Sequence, residues 1–154
     1  MMQSLNFPIA YAFDIVNRDG RQMVLDPLRQ KYVTLTPEEW VRLHFVQYLI
    51  QDLGFPQGRT AIETGFVFQR MQCRVDVLVY DKQGKPVLMG ECKAPDVKIR
   101  QRAFDQIGRY NTAVKATCLV VTNGLEHYCC VVDRAQNTYQ FLDALPRYEA
   151  LLQG

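Results

Sequence analysis

The chain has 154 residues, a formal net charge of +2 and a hydrophobic content of 48%. These values suit one globular domain with a real core. No stretch approaches the length of a membrane span, and Met1 to Ala10 lacks a basic segment leading into an apolar run, so a cytoplasmic protein without a membrane partner is expected. The small net charge does not announce a nucleic-acid binder, and it does not exclude one, because a local basic stripe suffices.

In chain order, Tyr11 to Leu25 reads as a small hairpin turned at Asn17-Arg18-Asp19-Gly20. Leu28 to Lys31 suggests a short helical turn, and Tyr32 to Leu35 a brief extended piece. The first long helix opens at Thr36. Thr36-Pro37-Glu38-Glu39 offers an N-cap, a proline at N1 and an acid at N3, the pattern of a capping box. The helix is expected to reach about Leu53, with Gly54 as its C′ residue. Trp40, Leu43, Val46, Tyr48, Leu49, Ile50 and Leu53 make its apolar face. Glu39 has a structural task here as the reciprocal cap.

Thr60 to Phe68 reads as a strand. Two further apolar runs, Arg74 to Tyr80 and Val87 to Lys93, flank the turn composition Asp81-Lys82-Gln83-Gly84-Lys85-Pro86 and predict a hairpin. Three charges interrupt these runs: Asp76, Glu91 and Lys93. Alternation puts Glu91 and Lys93 on one face and Cys92 on the other. Asp76, on the neighbouring strand, can sit beside them. Two carboxylates and an ammonium at one end of a hairpin suit a hard divalent ion such as Mg²⁺ and the positioning of a water. An acid and a lysine two apart also commonly form a solvated ion pair. Here the flanking residues are strongly apolar, and buried charges need a partner or a metal.

Ala94-Pro95 ends the strand after Lys93. A second helix is predicted over about Ile99 to Val114, with Ile99, Ala103, Ile107, Tyr110 and Val114 as its apolar stripe. Gln106 falls within that face and needs a hydrogen-bond partner. Lys98, Arg100, Arg102 and Arg109 occupy the opposite side, either as a solvated face or as contacts for phosphates. Cys118 to Thr122 is a compact strand turned by Asn123-Gly124. Glu126 to Val132 and Tyr139 to Phe141 follow as strands, and Leu145 to Leu152 as a terminal helix. The crossover from Lys93 to Cys118 is long enough for a right-handed parallel connection, so an α/β domain with a mixed sheet and a helix on each side is expected. The five cysteines lie mostly in apolar runs without a CxxC spacing, which favours buried free thiols over a zinc site.

Five pieces then occur in order: Thr36 to Arg42, Arg74 to Asp81, Glu91-Cys92-Lys93-Ala94-Pro95, Gln106-Ile107-Gly108-Arg109-Tyr110, and Thr122-Asn123-Gly124. Together they resemble the PD-(D/E)XK nucleases, and in detail the N-terminal nuclease domain of type I restriction enzyme R subunits. The resemblance implies a restriction-endonuclease-like mixed β-sheet flanked by α-helices, with residues 36–145 as core, 1–35 as an N-terminal hairpin extension and 146–154 as a short terminal helix of a single domain. It implies Mg²⁺-dependent hydrolysis of DNA phosphodiesters, with Mn²⁺ as a substitute. Asp76, Glu91 and the Cys92 carbonyl would ligate the metal, and Lys93 would position the water. Glu39 would be the acid of the first motif, with Glu38 as its rival. Gln106 and Tyr110 match the family's Q-x-x-x-Y element, and Arg42, Lys98, Arg102 and Arg109 would support the site or contact DNA. R subunits carry a helicase motor after this domain, but no Walker stretch with Gly-Lys-Ser/Thr occurs here, so either a fragment of such a subunit or a stand-alone relative, with helicase or other restriction-system subunits as partners, is expected. The competing expectation is a non-catalytic DNA-binding or assembly module with the same fold.

Overall fold

A computed structural model describes residues 2–152, so Met1 and the last two residues of the expected terminal helix, Gln153 and Gly154, lie outside the described residues. The N-terminal segment is a three-stranded antiparallel sheet of β1 (Ile15–Arg18), β2 (Arg21–Asp26) and β3 (Lys31–Thr34), not a lone hairpin. The Leu28 to Lys31 stretch holds a single helical turn, the Gln30 N–H donating to the Asp26 carbonyl at 2.8 Å. The buried Asp26 carboxylate holds it, accepting the Leu28 N–H at 2.8 Å and the Arg29 N–H at 3.3 Å. Tyr32 thereby returns beside Leu25 and the extended piece becomes a paired strand.

The main sheet holds β4 (Thr60–Phe68), β5 (Met71–Tyr80), β6 (Pro86–Cys92), β7 (Cys118–Thr122), β8 (His127–Asp133) and β9 (Thr138–Leu142), side by side in sequence order. Every neighbouring pair is antiparallel except β6 and β7. That one parallel pair requires a crossover, and α2 (Gln101–Val114) supplies it.

The helix α1 (Pro37–Gln47) covers one face of the sheet. The Thr36 Oγ1 accepts the Glu39 N–H at 3.1 Å, so the N-cap is as the sequence suggests. The reciprocal half of the box is not formed, because the Glu39 carboxylate is taken by two arginines. Helical backbone does reach Asp52, but Tyr48–Asp52 is wound as a π-helix. Gly54, at φ +79°, then lets the Phe55 N–H reach the Leu49 carbonyl at 2.9 Å, which closes the end. Val41, Phe45 and Leu49 pack against Val77, Val79, Cys92 and Val120.

The opposite face carries Val75, Leu78, Met89, Leu119 and Val121, covered by Ile107 and Ala103 of α2. The stripe Ile99, Ala103, Ile107, Tyr110 and Val114 packs against this cluster as its spacing predicts, with Ile107 fully buried, although the helix begins at Gln101 because Arg100 is still extended. Gln106 departs from expectation. It is exposed, and its Nε2 donates to the Tyr110 hydroxyl at 2.8 Å, so the amide lies at the edge of the stripe and not inside it. The terminal helix shrinks to a 3₁₀ turn at Tyr148–Leu151, tied down by the Tyr148 N–H donating to the Leu53 carbonyl at 2.9 Å. All five thiols are free, and all but Cys73 are buried. Burial lifts the Cys129 and Cys130 thiols to about 11, so both remain protonated, inert core side chains at neutral pH.

Candidate active site

Asp76 and Glu91 come from the antiparallel pair β5 and β6. Val77 pairs with Gly90, so Asp76 and Glu91 are the next residues along at the end of the ladder. Lys93 follows β6 directly, its N–H donating to the Thr122 carbonyl at 2.8 Å. Cys92 points into the α1 core, which leaves Glu91 and Lys93 on the α2 face. All three charged side chains are half-buried, as apolar flanks require. The Asp76 Oδ2 accepts the Cys92 N–H at 2.7 Å, which fixes the carboxylate across the strand gap.

A second layer of charge lies behind Asp76. Arg42 of α1 is buried, and its Nη1 lies 3.3 Å from the Asp76 Oδ1. Its Nη2 contacts the Glu39 Oε2 and lies 3.2 Å from the Glu63 Oε1. Arg29, from the β2–β3 turn, joins Asp26 to Glu39 and reaches Glu63 at 3.7 Å. The N-terminal sheet, α1, β4 and β5 are therefore stitched together by alternating charges immediately behind the candidate site. Arg42 is buried in this network and supports Asp76. Glu39 is buried in it too. Glu38 is the exposed acid of α1 and shares the electric field of Asp76, Lys93 and Glu91.

Glu63, Arg29 and Asp26 were not legible as part of a site. Glu63 sits in the middle of β4 with φ +53°, a left-handed backbone that no strand pattern announces. The one available signal was the spacing of Glu39 and Arg42 on adjacent turns of a helix. Gln106 and Tyr110 are joined to each other, with the Tyr110 ring edge-on to Phe66 and Phe68 at 5.1 and 5.6 Å. Among the described residues no hydrogen bond links either to Asp76, Glu91 or Lys93. Lys98, Arg102 and Arg109 are exposed around α2.

The profile of the family described as type I restriction enzyme R protein N terminus matches residues 37–146, which span both helices and the whole main sheet. The chain belongs to this family. Among solved structures it is similar to a fragment described as an HsdR subunit of a type I restriction enzyme from Vibrio vulnificus YJ016, with a TM-score of 0.57 and 18% identity. The alignment covers 77% of this chain and 25% of that one, so the R-protein N-terminal domain seen here spans about a quarter of the length of its structural neighbour. At that identity the likeness establishes the fold, a restriction-endonuclease-like mixed α/β arrangement. No curated protein matches the chain.

Within this R-protein domain the electrostatics single out Glu91. Burial, then the Asp76 charge beside it, raise its carboxyl to about 8, against the opposing pull of Lys93. Burial and Asp76 also raise Glu38. At Arg42 burial opposes the charge, but Glu39, Asp76 and Glu63 more than offset it and the guanidinium is held more firmly protonated. Among the described residues no three His, Cys, Asp or Glu side chains are set to hold a metal ion. The donor set is the smaller one of Asp76, Glu91 and the Cys92 carbonyl. It fits Mg²⁺, which keeps several waters and takes only one or two carboxylates from the protein. Two adjacent carboxylates, one of them raised by burial and by the charge of the other, are what a divalent cation would relieve.

Proposed function

We propose that the chain is the nuclease domain of a type I restriction R subunit, a Mg²⁺-dependent endonuclease acting on DNA phosphodiesters. The observation that carries this reading is the pairing of Asp76 with Glu91 at the strand ends, with Lys93 beside them and Glu91 raised to about 8. Asp76, Glu91 and the Cys92 carbonyl would hold the metal, with Mn²⁺ able to substitute. When bound, it supplies polarisation of the phosphoryl oxygen and a water of lowered pKa.

The chain's own residues supply the rest. Lys93 orients the attacking water and offsets the negative charge that builds on the phosphorane. Arg42 and the Cys92 N–H hold Asp76 in one orientation, each on a different oxygen. Glu38 faces the same space and is the better candidate for the first-motif acid than Glu39. DNA and the remaining restriction-system subunits are the partners this reading implies.

Incubation of supercoiled plasmid with the protein and Mg²⁺ or Mn²⁺ tests it. Cleavage that disappears in Asp76→Ala and Lys93→Ala is expected; cleavage equal in all three proteins would overturn the reading. A second reading rests on the Arg42–Asp76 contact, which already gives Asp76 a counter-cation. On that view the fold serves as a partner-dependent DNA-binding or assembly module. Metal binding by calorimetry separates the two, since the module needs none.

A further inference from the structure

Across the α2 face, Glu91 pairs with Val121, and Val121 pairs with Tyr128. Residues paired in register share a face, so Tyr128 stands in one row with the candidate site. Two strand spacings separate it from Glu91, about 10 Å. The row continues as a line of aromatic rings. Phe104 of α2 meets Tyr128 and Phe141 edge-on, with centroids 5.8 and 5.4 Å apart. Tyr139 lies two residues before Phe141 on β9, on the same face.

Phe104, Tyr139 and Phe141 border an open groove of about 530 Å³ between α2 and the β8–β9 pair, floored by Leu119 and Cys130, and Tyr128 adjoins it through Phe104. The helix side is a second stripe of α2, distinct from the buried one. Gln101, Phe104, Asp105, Gly108, Arg109 and Thr112 recur at helical spacing and line it. Gly108 keeps the wall low, since a Cβ there would stand 3.4 Å from the Tyr139 hydroxyl. Phe141 is 58% exposed, Tyr139 49% and Tyr128 38%, so the ring surfaces are open to a ligand.

Charge indicates what ligand. From residue 96 to residue 112 the cations Lys98, Arg100, Arg102 and Arg109 stand against only Asp96 and Asp105. Asp105, the groove's carboxylate, already accepts from Gln101 at 3.1 Å. Aromatic rings with Arg109 among them, next to the exposed cations Lys98, Arg100 and Arg102 at the start of α2 and to a candidate site for phosphodiesters, form a platform for unpaired bases rather than for the outside of a duplex.

We propose that this groove binds single-stranded DNA adjoining the phosphodiester engaged at the Asp76, Glu91 and Lys93 site, its bases stacking on Phe141 and Tyr139 in the groove and on Tyr128 next to it. The proposal rests on the nuclease reading for the position of the scissile phosphate; the groove itself is tested without cleavage. The probe is a fluorescent oligothymidylate, titrated in EDTA and read by anisotropy, with a blunt duplex of the same length as comparison. Replacing Tyr139 and Phe141 together by leucine keeps apolar contact with Phe104 and removes the flat faces. Single-strand affinity should fall by about tenfold or more, while duplex affinity changes little. Photo-crosslinking of a 5-bromouracil strand should label the peptides carrying Tyr128 or Phe141. Unchanged oligothymidylate affinity, or equal losses on single strand and duplex, would overturn the groove. So would a change in sedimentation of the DNA-free double variant, which would mark this face as an interface between copies. Loss of the nuclease reading would show separately, as plasmid cleavage unaffected by Asp76→Ala.

Discussion

The guanidinium of Arg42 spans two carboxylates with different tasks: its Nη1 lies 3.3 Å from Asp76 in the candidate site, and its Nη2 is paired with Glu39 behind it. Both arginine and glutamate are buried. Removing the cation leaves Glu39 in low dielectric with Arg29 alone. Arg42→Met should destabilise the protein by about 3–5 kcal/mol, read as a lowered urea midpoint. The double variant Arg42→Met with Glu39→Gln should lose less than the two single losses added together, because it leaves no orphaned carboxylate at Glu39. Strict additivity would mean that the pair does not act as a unit.

Glu38 and Glu39 are adjacent in sequence and opposite in environment. Glu38 is exposed toward the Asp76, Glu91 and Lys93 group, whereas Glu39 is 7% exposed and held by two arginines. Glu38→Gln should therefore leave stability within about 0.5 kcal/mol and lower plasmid cleavage by roughly 10- to 100-fold, as loss of an outer-shell acid does. Glu39→Gln should do the reverse, with a fall in unfolding midpoint larger than any loss traceable to the site itself. If Glu39→Gln silences cleavage at full stability and Glu38→Gln does not, the assignment of the two acids is inverted.

The parts of this fold that repeat were legible. Period-two and 3.6-residue patterns located all six strands of the main sheet and both helices, and Thr36, Gly54 and Asn123-Gly124 marked ends through local backbone chemistry. Alternation about Cys92 was enough to put Glu91 and Lys93 on one face. What escaped depends on chain segments far apart in sequence. Nothing near Glu39 tells it that Arg29, from a turn of another sheet, will take the carboxylate that a capping box would have used. Nothing near Glu63 announces a left-handed residue in a nine-residue strand. Gln106 was placed one position too far into the stripe, because a helical wheel cannot say where a buried face ends.

Glu91 gives the metal-free protein a pH dependence of definite sign. Folded, its carboxyl is raised to about 8, first by burial and then by Asp76; unfolded, it titrates near the ordinary value of 4.5. Between those values unfolding releases a proton, so stability falls as pH rises from about 4.5 to about 8, by an amount on the order of a few kcal/mol. His44 and His127, held below their ordinary value by burial, act oppositely and weaken the fold as pH drops. Urea unfolding in EDTA across this range should show Glu91→Gln gaining on the parent protein as pH rises. Parallel profiles for the two would mean that Glu91 carries no such strain.

Gly90 sets how closely α1 approaches the sheet beside the candidate site. A Cβ there would stand 2.8 Å from the Phe45 Cε2 and 3.3 Å from its Cζ. Phe45 is fully buried, so the ring has little room to yield and α1 must shift outward. Gly90→Ala should cost about 1–3 kcal/mol by overpacking. Adding Phe45→Leu should recover part of that loss, because the clashing ring atoms are gone. Gly65→Ala is the comparison: its Cβ would meet only the Cys73 carbonyl, at an unstrained 3.7 Å. Because α1 carries Glu38 and Arg42, Gly90→Ala should also reduce cleavage under conditions where the variant is fully folded. A Gly90→Ala protein as stable and as active as the parent would show that the helix has slack on the sheet, and that Arg42 does not depend on this contact for its reach to Asp76.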